Sequence, residues 1–516
     1  MDSILILDFG SQTTQLIARR IREFSVYSRI VPGDVSLDQV DLSGVRGIIL
    51  SGSPHSVHDG DAPAPDPAVY EAGLPLLGIC YGLQRLVQDH GGGVERQQRR
   101  EYGRARQRRR ERHPLFDGIE DGFVSWMSHG DSIERLPSGA VLVSESEHGL
   151  PGCISFPEQG FVGIQFHPEV THTESGTRVL ENFAVGIAGA RRQWTMEAYA
   201  EQMGRELATL VAGKPVLLLI SGGVDSTVTA AMLLSALPAE QVHLMYVDTG
   251  LMRYRETEEV RRGLEALGAR HLHIVDAEEI FLSELAGVTD PEEKRRAIGD
   301  AFVRVQEAEI RAHVPGDYML AQGTLYTDYV ESGRGVGSKA RVIKSHHNVR
   351  SPLIEAKRAA GEVVEPLIHL YKDEVRELGR RLGVRDDIIR RHPFPGPGLA
   401  VRILGEVTKE RCELLRAVDH TYITELKQRG LYDEIWQAFA VLLPIRSVGV
   451  TGDERGYGSV IALRAVGSKD GMTADVYPFP TDHLLEISSV ITNEHPEVGR
   501  VVYDVSSKPP ATIEWE

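Results

Sequence analysis

Residues 214–227, KPVLLLISGGVDST, leave this chain few folds to choose from. Val216 to Ile220 form an apolar run too short for a helix and apolar enough for a strand buried on both faces of a parallel sheet. Ser221, Gly222 and Gly223 follow at once, and Val224, Asp225, Ser226 and Thr227 open a helical stretch that continues VTAAMLLSAL. A strand, a small-residue turn and a helix start crowd several backbone N–H groups round one concave point, with the positive end of the helix dipole behind them. Such a point holds an anion, and the usual anion is phosphate. A glycine-rich turn that binds nothing is the plainer alternative. The longer loop with a Lys–Ser/Thr pair, the common nucleotide cradle, is not what stands here.

At 516 residues the chain exceeds a single hydrophobic core and is expected to form three domains, 1–193, 194–391 and 392–516. A formal charge of −17 argues against a nucleic-acid partner. No apolar run approaches the roughly 20 residues that span a bilayer, so no membrane partner is expected. The start, MDSILILDFG, enters a strand directly, without the basic region or cleavage site of a secretion signal. Cys80, Cys153 and Cys412 are few and lack metal spacing. They suit a reducing compartment, and cytoplasm is the expectation.

In the first domain, strands at 3–8, 47–52 and 75–79 alternate with helical segments, the pattern of an open parallel sheet. The third strand runs into Gly78-Ile79-Cys80-Tyr81-Gly82 and then a helix. G-x-C-x-G at a strand-to-helix turn makes a sharp elbow that exposes the central side chain at the carboxyl edge of the sheet. A thiol there feels the start of the next helix, which favours the thiolate. A buried structural cysteine is the alternative. FVGIQFHPEV at 161–170 reads as a strand that delivers His167 and Glu169 to one side. Cys80, His167 and Glu169 then supply a nucleophile, a base and the group that orients the base. The competing reading of the His/Glu pair is a surface turn round Pro168.

GICYGLQ, WMSHGD at 126–131 and FHPE together resemble the class I glutamine amidotransferases. SGGVDS resembles the loop of the ATP pyrophosphatases, which split ATP between its α and β phosphates. The two joined in this order are similar to the GMP synthase family over nearly the whole chain. The resemblance implies an α/β fold of two doubly wound parallel-sheet domains plus a C-terminal α+β dimerisation domain that also binds XMP. It implies a homodimer acting on XMP, ATP and L-glutamine, with Mg²⁺ accompanying ATP. It makes Cys80 the nucleophile, His167 the base and Glu169 its partner, with the N–H groups of Ser53 and Tyr81 holding the oxyanion. The family has SGGP where this chain has Ser51-Gly52-Ser53-Pro54. Losing one oxyanion donor costs about 3 kcal/mol, but a serine keeps its N–H wherever the loop does not demand positive φ.

The same resemblance places ATP on Ser221, Gly222, Gly223, Val224, Asp225, Ser226 and Thr227, and Asp225, a hard oxygen donor inside the loop, is the candidate Mg²⁺ ligand. Lys372, at the start of a helix, is suited to phosphate. Asp328, at the end of a GTLYTD segment where Thr327 replaces the family's proline, belongs to a nucleotide lid with Glu331 and with Lys344 of IKSHHN. Arg295, Arg500, Lys508 and Glu514 are the implied XMP contacts, the last two in a polar, proline-bearing tail that by itself would fray. HPFPGPGLA at 392–400 is a rigid turn. His346-His347 lacks a spaced third ligand and reads as a loop pair. Between 96 and 112 stand nine arginines, of which only REYGRA matches the family. An RNA-binding patch is one reading and a solvated surface segment the preferred one. A thiolating relative would want a cysteine in the second domain, which has none. A non-catalytic regulator would not need Cys80, His167 and Glu169 intact.

Overall fold

The apolar runs of the first 200 or so residues pair into one mixed sheet, and those that follow pair into two more. The computed structural model describes residues 1–314, 316–331, 352–451, 454–468 and 473–516. Residues 1–199, with 327–331 grouped to them, form one compact unit, and residues 200–326 with the described residues from 352 onward form a second.

The first unit contains β1 (Ser3–Asp8), β2 (Tyr27–Pro32), β3 (Val45–Leu50), β4 (Leu76–Ile79), β5 (Gly93–Arg109), β6 (Val124–Arg135), β7 (Val141–Ser146), β8 (Pro151–Phe156) and β9 (Phe161–Ile164). Their order is β2-β1-β3-β4-β9-β8-β7-β5-β6. The five strands from β2 to β9 are parallel, as the β–α alternation predicts. The remaining four are antiparallel, so the parallel sheet read from the alternation continues here as a mixed one. The cause is visible in β5. Glu101, Ala105 and Gln107 point inward while Tyr102, Arg104, Arg106 and Arg108 point out, a one-face-wet pattern that antiparallel pairing tolerates and parallel pairing does not. The arginine-rich stretch is therefore strand up to Arg109, and Arg96 and Arg110 pair with Asp59 and Glu145 of the same unit.

In the second unit β10 (Val216–Ile220), β11 (Val242–Asp248), β12 (His271–Asp276), β13 (Met319–Ala321) and β14 (Val363–Val364) form a parallel sheet in the order β12-β11-β10-β13-β14. The order reverses at β10, and ligands of open α/β sheets bind at such a reversal, beyond the carboxyl ends of the strands. β15 (Gln437–Thr451) and β16 (Glu454–Gly467) run antiparallel, with β17 (Asp475–Val476) and β18 (Val498–Tyr503) both pairing β16. Helices Lys409–Gln428 and Thr481–Glu494 accompany them. Val247, Phe281 and Ile298 share one buried core with Leu415, Ile461 and Ile487, so the stretches before and after residue 391 pack as one body. The turn at 392–400 holds as far as Pro397, after which Gly398–Arg402 winds into a short 3₁₀ helix. All three cysteines are buried and unbridged. No helix among the described residues is long and apolar enough to cross a membrane.

Candidate active sites

β4 ends on Ile79 and the next helix, Tyr81–Asp89, starts at Tyr81, leaving Cys80 to turn the corner. Cys80 does so at φ 54°, a conformation that costs a non-glycine residue about 1 kcal/mol or more. The flanking glycines serve closeness, not positive φ. A Cβ on Gly78 would lie 2.6 Å from the Gly82 carbonyl carbon, and one on Gly82 only 2.3 Å from Leu50 O. The Cys80 N–H donates to Ile164 O at 2.8 Å and the Gly82 N–H to Ser51 O at 3.1 Å, fastening the strained residue on both sides.

β9 stops at Ile164, so His167 and Glu169 are not delivered by a strand; Pro168, which lacks an N–H, cannot continue the ladder. They meet nevertheless, His167 Nδ1 lying 2.7 Å from Glu169 Oε1. The WMSHGD stretch supports them. The His167 N–H donates to Trp126 O at 3.0 Å, and Thr173 Oγ1 donates to His167 O at 2.6 Å while accepting from the Trp126 N–H at 3.0 Å. The Cys80 thiol points to Ser128 O at 3.8 Å, and Gln165 Nε2 approaches Sγ at 3.6 Å. Burial opposes a charge on His167, but the Glu169 carboxylate and the Cys80 sulfur outweigh it, and the imidazole keeps its proton well above its ordinary range.

A cleft of about 480 Å³ opens over Cys80, lined by Ser53, Tyr81, Gln84, Tyr102 and Asp131 among others. Ser53 is not among the four non-glycine described residues with positive φ, which are Ser25, Cys80, Ala212 and Arg255. Its hydroxyl donates to Phe9 O at 2.9 Å. The serine therefore fits the loop without strain. Gln84 and Gln165 escaped the sequence reading. Gln84 ends the GICYGLQ motif one helical turn beyond Cys80, and its Nε2 donates to Asp131 O at 3.1 Å, so the signal was present but unread.

At the second candidate site, β10 gives way to Ser221, and helix Val224–Ala236 begins with no side chain capping its N-terminus. Gly222 sits at φ 77°. The Ser221 N–H donates to Ser226 Oγ at 3.2 Å, and the hydroxyls of Ser226 and Thr227 donate to Gly223 O at 3.2 and 2.8 Å. Lys372 does begin a helix, Lys372–Arg381, and its ammonium meets both Asp225 oxygens at 2.6 Å. The acid and the base given separate duties by the sequence are thus brought face to face. Asp328 lies in helix Tyr326–Glu331 and groups with the first unit. Glu331 ends that helix, and its side chain, Lys344 and His346-His347 lie outside the described residues. Among the described residues no three or more His, Cys, Asp or Glu side chains cluster as a metal cage would.

Residues 5–187 match the family model of class-I glutamine amidotransferases, residues 203–294 that of asparagine synthase, and residues 424–515 that of the GMP synthase C terminal domain. A glutamine-hydrolyzing GMP synthase of Thermus thermophilus is 51% identical over 513 residues, covering 99% of this chain and 100% of its own. One from Symbiobacterium thermophilum is 49% identical over 516 residues, covering 100% and 99%. The chain belongs to the GMP synthase family.

In this member of the GMP synthase family the tail does not fray, because three buried cations hold it. Arg464, fully buried, donates to the carbonyls of Ser506, Thr512 and Ile513 at 2.9 Å each and pairs with Asp504 at 2.8 Å. Arg402 forks onto Glu514 at 3.0 and 2.8 Å, and Gln437 adds a bond to Glu514 at 2.7 Å. Lys294 donates to Ile403 O at 2.7 Å and to the Glu516 carboxylate. Arg295 is brought to the tail as well, donating to Glu516 O. Lys508 exchanges backbone bonds with Ala474. Arg500, exposed on β18, bonds Ser447 Oγ at 2.8 Å. Sequence reasoning missed Arg402 and Arg464, each an arginine inside an otherwise apolar run, where burial demands a partner. Lys294 gave no such signal within the charged stretch DPEEKRR.

Proposed function

We propose that the chain aminates XMP to GMP, drawing ammonia from L-glutamine and an adenylate from ATP, in the cytoplasm. The observation that carries this reading is the strained Cys80 beside the His167–Glu169 pair, in a chain whose relatives of this name match it end to end. In the first site Cys80 Sγ attacks the glutamine carboxamide carbon. His167 receives the thiol proton and passes it to the departing ammonia, and Glu169 holds the imidazole by its Nδ1–H. The N–H groups of Ser53 and Tyr81 take the oxyanion, and water then releases glutamate from the thioester.

In the second site the backbone N–H groups of Ser221–Thr227, with Lys372, take the outer phosphates of ATP. The O2 oxygen of XMP attacks the α-phosphorus and expels pyrophosphate, giving adenyl-XMP. Ammonia then adds at C2 and AMP leaves, which an oxo oxygen alone would not do. Asp225, a carboxylate in the first turn of the loop's helix, offers the hard oxygen donor that suits a Mg²⁺ accompanying ATP, and would hold it there. When bound, it would supply positive charge to offset the negative charge of the departing pyrophosphate. Arg295 contacts the substrate nucleotide, Arg500 and Lys508 serve the XMP phosphate and Glu514 its base, while Asp328, Glu331 and Lys344 are the residues assigned to the nucleotide lid. A homodimer built on the β15–β18 sheet would cover Ile445, Val448 and Tyr457, which are exposed in the single chain.

The separation of sites gives the test. In Cys80→Ala, GMP formation from ammonia persists at the parent rate while formation from glutamine disappears. Loss of both in a folded variant contradicts the reading.

A further inference from the structure

Beneath the phosphate loop lies a charged network that none of the chemistry above uses. Arg391 Nη1 donates to Gly222 O at 3.3 Å and to Glu256 Oε1 at 3.2 Å, and its Nη2 reaches Glu259 Oε2 at 2.6 Å. The side chains of Arg391 and Glu256 are only 12% and 3% exposed. Glu256 opens the helix Glu256–Ala266, and its second oxygen accepts the Arg253 N–H at 3.0 Å. It also packs directly under the loop, since a Cβ on Gly222 would come 3.0 Å from Glu256 Oε1.

The consequence follows from the planarity of the peptide unit, in which C=O and the next N–H point in opposite directions. Holding Gly222 O against Arg391 turns the Gly223 N–H to the other side of the loop, where it lies 3.4 Å from Ser221 Oγ. Gly222, at φ 77°, has no side chain to resist a flip of that peptide. Inside the loop only the long bond from the Gly223 N–H to Ser221 Oγ opposes such a flip, so firm resistance has to come from outside it. We propose that Arg391, braced by Glu256, is a positioning residue that locks the 222–223 peptide in the orientation that presents its N–H to the ATP phosphates. This rests on the reading that the loop binds ATP. Charge makes the lock stiff: a guanidinium shared by two carboxylates and a carbonyl is held from three directions, and charge-assisted bonds are the stronger kind. A lysine would keep the charge but lack the planar fork that reaches all three.

A lock of this kind acts on ATP before it acts on anything else, whereas a mere strut between two segments acts on stability. The full-length protein is assayed with ammonia as nitrogen source, so that the amidotransferase site plays no part. Arg391→Lys and Glu256→Gln are compared with the parent for the KM of ATP, the KM of XMP, kcat and melting temperature. Expected is a rise of about tenfold or more in the KM for ATP, with the KM for XMP changed less than about threefold, in whichever of the two variants melts like the parent. An unchanged KM for ATP in such a variant overturns the proposal, as does an equal rise for both nucleotides. Asp225→Ala separates the two levels. If it raises the KM for ATP while Arg391→Lys does not, the lock alone is wrong; if neither does, the assignment of ATP to the loop falls with it.

Discussion

Around Cys80 the constraints are those of backbone: one residue at φ 54°, two glycines with no room for a Cβ, and amide bonds from neighbouring strands. Around SGGVDST and the tail they are those of buried charge, with Arg391, Glu256, Lys294, Arg402 and Arg464 drawn from distant parts of the sequence. A nucleophile needs one atom in one place, which a strained turn provides locally. The two nucleotides proposed for the second region would need many weak contacts over a wide surface, and only long-range pairing arranges those. The first site should fail abruptly on a single change and the second by degrees.

The largest effect is expected at Glu169. Glu169→Gln should lower glutaminase turnover about 10³–10⁴-fold, because the imidazole loses the group that fixes its tautomer. The same change should move the His167 titration, followed by NMR, to lower pH. The sign follows from the raised value in the parent. A folded-state pKa above the unfolded one contributes stability that is fully present below the ordinary imidazole value and lost as pH rises through the folded value. Glu169→Gln should therefore cost the first unit stability at acidic and neutral pH and leave it little changed at alkaline pH. A variant of parental activity and titration would mean that the 2.7 Å pair is incidental.

Arg464→Ala comes next. Removing a fully buried guanidinium from Asp504 and three tail carbonyls should destabilise the second unit by about 3–5 kcal/mol, read as earlier melting, while glutaminase activity survives. If glutaminase is lost as well, the two regions are not separable in the way described. Smaller still is the contrast between glycines. Gly82→Ala places a Cβ against Leu50 O and should cost about 1–3 kcal/mol. Gly223, whose nearest neighbour to such a Cβ is the Ser221 hydroxyl at 3.3 Å and whose φ is −79°, should take alanine for less than about 1 kcal/mol. Equal costs would erase the distinction between a packed elbow and an open loop.

What was legible in the sequence divides along the same line. Val216 to Ile220 and the turn after it predicted β10 and its helix, because strand, turn and cap lie within one short segment. The elbow at Cys80 and the contact between His167 and Glu169 were readable for the same reason, each lying within a few residues. The antiparallel half of the first sheet was not, although the in-out alternation of β5 was there to be counted. His167 was placed on a strand that in fact ends at Ile164, since a proline soon after a short apolar run leaves the end of the ladder ambiguous. The tail was the least legible. Nothing near Glu514 in sequence says that Arg402 and Gln437 wait for it, and a polar end with such partners looks the same as one with none.

On the proposed reading, the loop at 221–227 holds ATP by its outer phosphates so that the adenylate goes to the acceptor. The direct measurement is one turnover assay with XMP, Mg²⁺, glutamine and ATP, in which the nucleotide product is separated and identified. AMP and pyrophosphate, formed in step with GMP, are the predicted result; ADP and inorganic phosphate would contradict it.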